Sequence, residues 1–160
     1  MNNTVKTING VRLVFSTLWS HISIEKQFII EQSLSDFRVI RKNEKRLTVD
    51  DYNQLHLESR LFLEETFQTK TDAPTVVVTH HPPTFFNYPK KYATSDINEA
   101  FGTELFSIIE NNEIDYWIYG HHHYNVSDFT IGKTKLVTNQ LGYIKYNENE
   151  NFRNDAVFSI

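Results

Sequence analysis

The five-residue run TVVVT (Thr75 to Thr79) constrains the fold more than any other stretch. It is short, continuous and β-branched, with no alternation of apolar and polar residues. That pattern suits a strand buried on both faces, the environment found at the centre of a parallel sheet. A second apolar run, YWIY (Tyr116 to Tyr119), reads as another strand. Between them, Asp96 to Glu110 places Ile97, Phe101, Leu105, Ile108 and Ile109 on one helical face, with Ser95 as a cap. Strand, helix and strand in this order predict a right-handed βαβ unit with parallel strands.

The flanking segments extend this α/β reading. VRLVFSTLW (Val11 to Trp19) follows the turn-like Asn9-Gly10 and predicts a buried strand. SIEKQFIIEQSL carries Ile24, Phe28, Ile29, Ile30 and Leu34 at helical spacing. The strongest helix signal runs from Leu47 to Phe67. Thr48 and Asp51 have the form of a capping box, and Tyr52, Leu55, Ser59, Phe62, Leu63 and Phe67 trace one face. Asn125 to Asn139 holds two β-rich runs joined at Gly132-Lys133, a hairpin signal, and AVFSI (Ala156 to Ile160) predicts a last strand. There is no internal repeat and no Pro/Gly-rich linker. The 160 residues predict a single domain, residues 1–160, and 39% hydrophobic residues suffice for an ordinary core.

Five of the seven histidines fall in two clusters, each just after a strand of the same βαβ unit. His80 and His81 follow TVVVT; His121, His122 and His123 follow YWIY and Gly120. Ligand sites of open parallel sheets gather beyond the carboxyl ends of the strands, so both clusters are expected on one rim. In extended backbone His121 and His123 face one side and His122 the other; His80 and His81 likewise diverge, so one of them is expected to be a ligand. Neutral imidazole suits divalent manganese, iron, zinc or nickel. The chain has no cysteine, so any metal is held by histidine, carboxylate, amide or backbone groups. His21 and His56 lie outside the clusters and read as ordinary structural histidines. Asn125 and Asp128, just past the histidines, read as polar residues of the hairpin or as substitute ligands. Lys90 and Lys91 read as a solvated loop, or as cations placed over the site to attract phosphate.

A formal charge of -4 without a basic stripe argues against binding a nucleic-acid backbone. No apolar run is long enough to span a bilayer, and the N-terminus lacks a secretory signal, so a cytoplasmic protein without a membrane partner is expected.

VVVTHHPP followed by WIYGHHH resembles the C-terminal half of the calcineurin-like metallophosphoesterases of bacterial type. GVRLVFSTLWS, the Leu47–Phe67 helix, VTNQLGY and NFRNDAVFSI resemble further elements of that half. The resemblance implies a mixed β-sheet sandwich flanked by helices and a two-metal centre hydrolysing phosphate mono- or diesters. It implies that His80 and His121 bind one metal and His123 the other. His81, His122 and Asn139 are expected beside the site, orienting ligands or facing substrate. Gln140 and Leu141 stand where the family has Pro and Arg, which bears on substrate affinity. The family's opening motifs, D-x-H, G-D and G-N-H-[DE], occur nowhere in the chain. They supply the remaining ligands, the bridging carboxylate and the acid that protonates the leaving group. The chain is therefore expected to be an incomplete version of the fold, binding divalent metal weakly and showing little activity alone.

Two readings follow: a phosphoesterase acting on a phosphorylated small molecule or protein and completed by a second chain, or a degenerate non-catalytic module binding a partner or a single metal. A mononuclear metal protein of another fold is a third. Strands missing from a sandwich leave apolar surface and an open edge, so a homodimer or a complementary N-terminal chain is expected.

Overall fold

A computed structural model describes all 160 residues. Its framework is one six-stranded mixed sheet. The strands are β1 (Thr4–Ile8), β2 (Val11–Ser16), β5 (Thr75–Thr79), β6 (Tyr116–Ile118), β7 (Phe129–Ile131) and β8 (Thr134–Val137), in the order β1-β2-β5-β6-β8-β7. The four inner strands are parallel, and β1 and β7 are antiparallel edges. TVVVT is central, as its composition predicts.

β1 is an element the strand pattern predicted only from its far side. Asn9 and Gly10 both have positive φ, 51° and 80°, and close a two-residue hairpin between β1 and β2. The predicted strand Val11–Trp19 stops at Ser16, whose hydroxyl accepts the Leu18 N–H at 3.0 Å as the chain turns through Leu18 at φ 51°.

Helices α1 (Ile24–Ser33), α2 (Asp36–Val39), α3 (Val49–Gln68) and α4 (Phe106–Glu110) flank the sheet, with a two-residue strand pair β3 (Arg41–Lys42) and β4 (Lys45–Arg46) between α2 and α3. The capping box of α3 forms: the Asp51 N–H donates to the Thr48 hydroxyl at 3.1 Å, and the Thr48 N–H donates to the Asp51 carboxylate at 3.2 Å. In register across the sheet, Val14, Val77, Trp117 and Leu136 form a fully buried row. Leu63 of α3 and Ile109 of α4 join them in one core. A second core packs Ile22, Ile30, Leu34, Phe37 and Tyr52 at the carboxyl end of the sheet.

Three expectations are corrected. The helix expected over Asp96–Glu110 is instead a single 3₁₀ turn (Asn98–Ala100), a loop, and the five-residue α4. The loop's backbone bonds go to the proline segment: Thr103 N–H to Pro82 O and Leu105 N–H to Pro83 O, at 3.1 and 2.8 Å. Glu104, not Ser95, accepts the Phe106 N–H at the start of α4, at 2.9 Å. In α1, Ile30 and Leu34 face inward, but Ile24 and Phe28 are exposed, because the segment is anchored from its other side by Ser23 N–H to Glu99 and by the Lys26–Asp96 ion pair. Finally, Ala156–Ile160 forms no strand. The tail pairs with neither free edge strand, β1 or β7, because its contacts go to the Tyr116 side chain of β6. The tail lies over the sheet instead, with Phe158 stacked on Tyr116 at 4.4 Å and the Tyr116 hydroxyl donating to Ser159 O.

That face of the sheet is thinly covered. Its row Phe15, Val78, Ile118 and Val137 is partly exposed, although each lies beside a fully buried neighbour of the opposite face. Parallel strands are ordinarily buried on both faces. No second large sheet packs here.

Candidate metal centre

The two histidine clusters meet at the carboxyl ends of β5 and β6. A backbone hydrogen bond from Gly120 N–H to His80 O, at 3.0 Å, joins the loops. The His80 Nε2 and His121 Nδ1 atoms lie 2.9 Å apart. Two imidazole nitrogens each about 2.0–2.1 Å from one ion lie roughly 3 Å from each other, so this spacing fits neighbouring ligands as well as a hydrogen bond. The His121 ring is wedged between His81, at 4.1 Å, and Phe101, at 4.8 Å. Burial and the surrounding imidazoles hold it far below the ordinary histidine range, so it is neutral. Its Nε2 is buried without a hydrogen-bond partner.

The backbone here is not extended. His121 and His123 both have positive φ, 73° and 50°. Left-handed backbone at a non-glycine residue costs on the order of 1 kcal/mol and is held by its surroundings. The expected alternation of side chains therefore does not apply, and all three rings line one cavity with His80. That cavity has a volume of about 600 Å³ and is also lined by Asp36, Tyr88, Tyr92, Phe101, Tyr143 and Glu148.

Each histidine has a distinct environment. His81 is buried and bound twice to the end of β2: its Nδ1 and its backbone N–H both reach Thr17 O, at 3.1 and 3.2 Å. Burial pushes it down to about 4. His122 turns to the opposite wall, where its Nδ1 accepts from the Gln140 side-chain amide at 3.1 Å; burial, followed by the charges of its neighbours, lowers it to about 4 as well. His123 binds Glu148, Nδ1 to Oε2 at 3.0 Å. Among the other candidates, Asn139 exchanges two hydrogen bonds with the backbone of Arg153 and so ties down the tail. Asn125 bonds the backbone of Gln140, and Asp128 pairs with Lys135. Lys91 lies over the rings of Tyr92 and Tyr124. His56 bonds Trp19 O at 2.6 Å and packs against His21, outside the cavity.

The donor set partly fits a divalent ion. His80 Nε2 and His121 Nδ1 lie at ligand spacing in a neutral cluster, whereas the buried nitrogen without a partner, His121 Nε2, is not one of that pair. His123 stands off with Glu148, and nowhere do three histidine or carboxylate groups gather round one point. The set is one short of the three protein ligands common at catalytic zinc.

Glu148 was not legible as a site residue, and Gln140 stood out only as a departure from the family's Pro. The Gln140 side chain accepts the His123 N–H at 2.8 Å and donates towards His122, Thr138 Oγ1 and Tyr124 O. Only Gly142, between them in sequence, hints that the chain turns back there.

A family model for calcineurin-like phosphoesterases matches residues 3–125. An uncharacterized protein of Acanthamoeba polyphaga mimivirus is 36% identical over 171 residues, covering 100% of this chain and 59% of its own length. The fold is similar to the crystal structure of phosphopantetheinyl hydrolase from Mycobacterium tuberculosis, with a TM-score of 0.60 at 18% identity, over 89% of this chain and 54% of that one. The chain thus spans little more than half the length of each. With the histidine clusters on one rim of the sheet and three quarters of the residues under the family match, the chain belongs to the calcineurin-like phosphoesterase family.

Proposed function

We propose that the chain carries one half of a metal-dependent phosphoesterase centre, with His80 and His121 holding one divalent ion of the manganese, iron, zinc or nickel class and His123 facing a second. The observation that carries this is the neutral His80–His121 pair, 2.9 Å apart, in a cavity large enough for a phosphorylated small molecule or peptide side chain. Bound metals supply Lewis acidity towards phosphate oxygens and an activated water. The chain's own contribution is to present unprotonated nitrogens, with the rigid His80–Gly120 link fixing their spacing. Tyr88, Tyr92 and Tyr143 wall the same cavity.

Hydrolysis further requires a carboxylate bridging the two ions and an acid for the leaving group. Asp36 lines the same cavity and its charge reaches His80, yet no carboxylate joins the His80–His121 pair in a three-ligand group. We propose that a complementary segment supplies the bridge and the acid and packs on the thinly covered sheet face. The partly exposed row Phe15–Val137 and the greater length of both relatives support that reading over a homodimer. A non-catalytic module binding one ion is the second reading, favoured by the two-nitrogen donor set.

Calorimetric titration with Co²⁺ tests the site. Weak binding that His121→Ala reduces at least tenfold is expected; unchanged affinity overturns the assignment. The chain alone is expected to show negligible hydrolysis of an aryl phosphate with Mn²⁺ present. Chelator-sensitive turnover abolished by His80→Ala would overturn the half-site reading.

A further inference from the structure

His123 bonds neither His80 nor His121, and its side-chain partner is instead a carboxylate, Glu148. Its ring is held by a short, elaborately folded return of the chain. Gly142 has φ +62°, a 3₁₀ turn spans Ile144–Tyr146, and Asn147 has φ 58°. These three features deliver the Glu148 carboxylate to His123 Nδ1, with one oxygen lying 3.0 Å from that nitrogen and accepting the Tyr143 N–H at 2.6 Å. A Cβ on Gly142 would lie 2.5 Å from the Glu148 Cβ and 3.3 Å from the His123 Cβ, so only glycine lets the pair approach. The Tyr143 ring meets the edge of His123 at 4.7 Å, and the Gln140 amide oxygen fixes the His123 backbone.

A carboxylate on one imidazole nitrogen selects the tautomer and raises the donor strength of the other nitrogen. We propose that Glu148 is the positioning residue of His123: it takes the Nδ1 hydrogen bond, leaves Nε2 as the free lone pair, and turns that nitrogen into the cavity as a donor for a borderline divalent cation. This deepens the phosphoesterase reading and rests on it for the cation. The tautomer does not depend on it.

Two measurements on the full chain test the proposal separately. In metal-free, ¹⁵N-histidine-labelled protein at about pH 8, above the ordinary imidazole range, long-range ¹H–¹⁵N spectra should show His123 protonated on Nδ1. Glu148→Gln keeps an acceptor oxygen and should preserve that state. Glu148→Ala should give a mixture shifted towards the Nε2 proton. Co²⁺ titration of the second ion, the one that His123 faces, should then show about a 10- to 100-fold loss of affinity in Glu148→Ala, a smaller loss in Glu148→Gln, and no further loss when Glu148→Ala is added to His123→Ala. An unchanged tautomer in Glu148→Ala overturns the proposal. So does an undiminished loss in the His123→Ala background, which would make Glu148 itself a ligand. If the wild-type chain takes up no Co²⁺, the phosphoesterase reading and the cation half of this proposal both fail, and the tautomer result alone decides the Glu148–His123 link.

Discussion

Replacing Gln140 by alanine tests how the second histidine loop is held. The residue is only 8% exposed. Its side-chain oxygen accepts the His123 N–H at 2.8 Å. Its two amide hydrogens serve three acceptors, Thr138 Oγ1 at 2.8 Å and His122 Nδ1 and Tyr124 O at 3.1 Å each. Three hydrogen bonds are therefore the realistic count. At about 1 kcal/mol net for each, Gln140→Ala should cost about 3 kcal/mol. Desolvated partners left without a bond raise that figure, and water entering from the cavity lowers it. In a chain of this size the loss corresponds to a drop in Tm of roughly 6–12 °C. Urea unfolding followed by circular dichroism measures it, with an unchanged slope confirming that the same surface is exposed. A loss below about 1 kcal/mol would refute the argument, because it would mean that the loop is held by its backbone alone.

Trp117→Ala empties the centre of the buried row and removes the Nε1–H bond to Thr79 Oγ1 at 3.0 Å, so a loss of about 3–5 kcal/mol is expected in the same assay. Burial holds His56 below its ordinary value, so the folded state favours the neutral ring. Stability from this residue is intact above the unfolded value near 6.5 and is lost as pH falls from there through the folded value; His56→Gln should flatten the acid side of a stability–pH curve, and an unchanged curve counts against it. Phe158→Ala removes the stack on Tyr116 and should cost about 1 kcal/mol while increasing the binding of a hydrophobic dye to the bare sheet face; unaltered dye fluorescence would mean that the tail does not screen that face.

The parts of the fold that were legible rest on local chemistry. TVVVT has one comfortable environment, and Thr48 with Asp51 close a cap within four residues. The histidine clusters were legible for a related reason, since strand ends of one βαβ unit share a rim. What escaped depends on distant partners. Ile97 to Ile109 has helical spacing, but Pro82 and Pro83 capture its backbone donors from another loop. AVFSI has strand composition, but its contacts go to the Tyr116 side chain and not to a sheet edge. β1 was the avoidable omission, because Asn9-Gly10 implies a strand on both sides. Glu148 and Gln140 carry no local signature. Their importance comes from a turn whose shape depends on the close approach at Gly142, and the left-handed backbone at His121 and His123 is a tertiary outcome.

The bond from Gly120 N–H to His80 O joins the two histidine loops through main-chain atoms only. Its strength is independent of which side chains those positions carry. Exchanging the side chains at positions 80 and 121 therefore leaves the donor and acceptor of that bond in place, although His121, at φ 73°, also depends on the packing of its ring. A centre can thus lose its chemistry while that main-chain link persists.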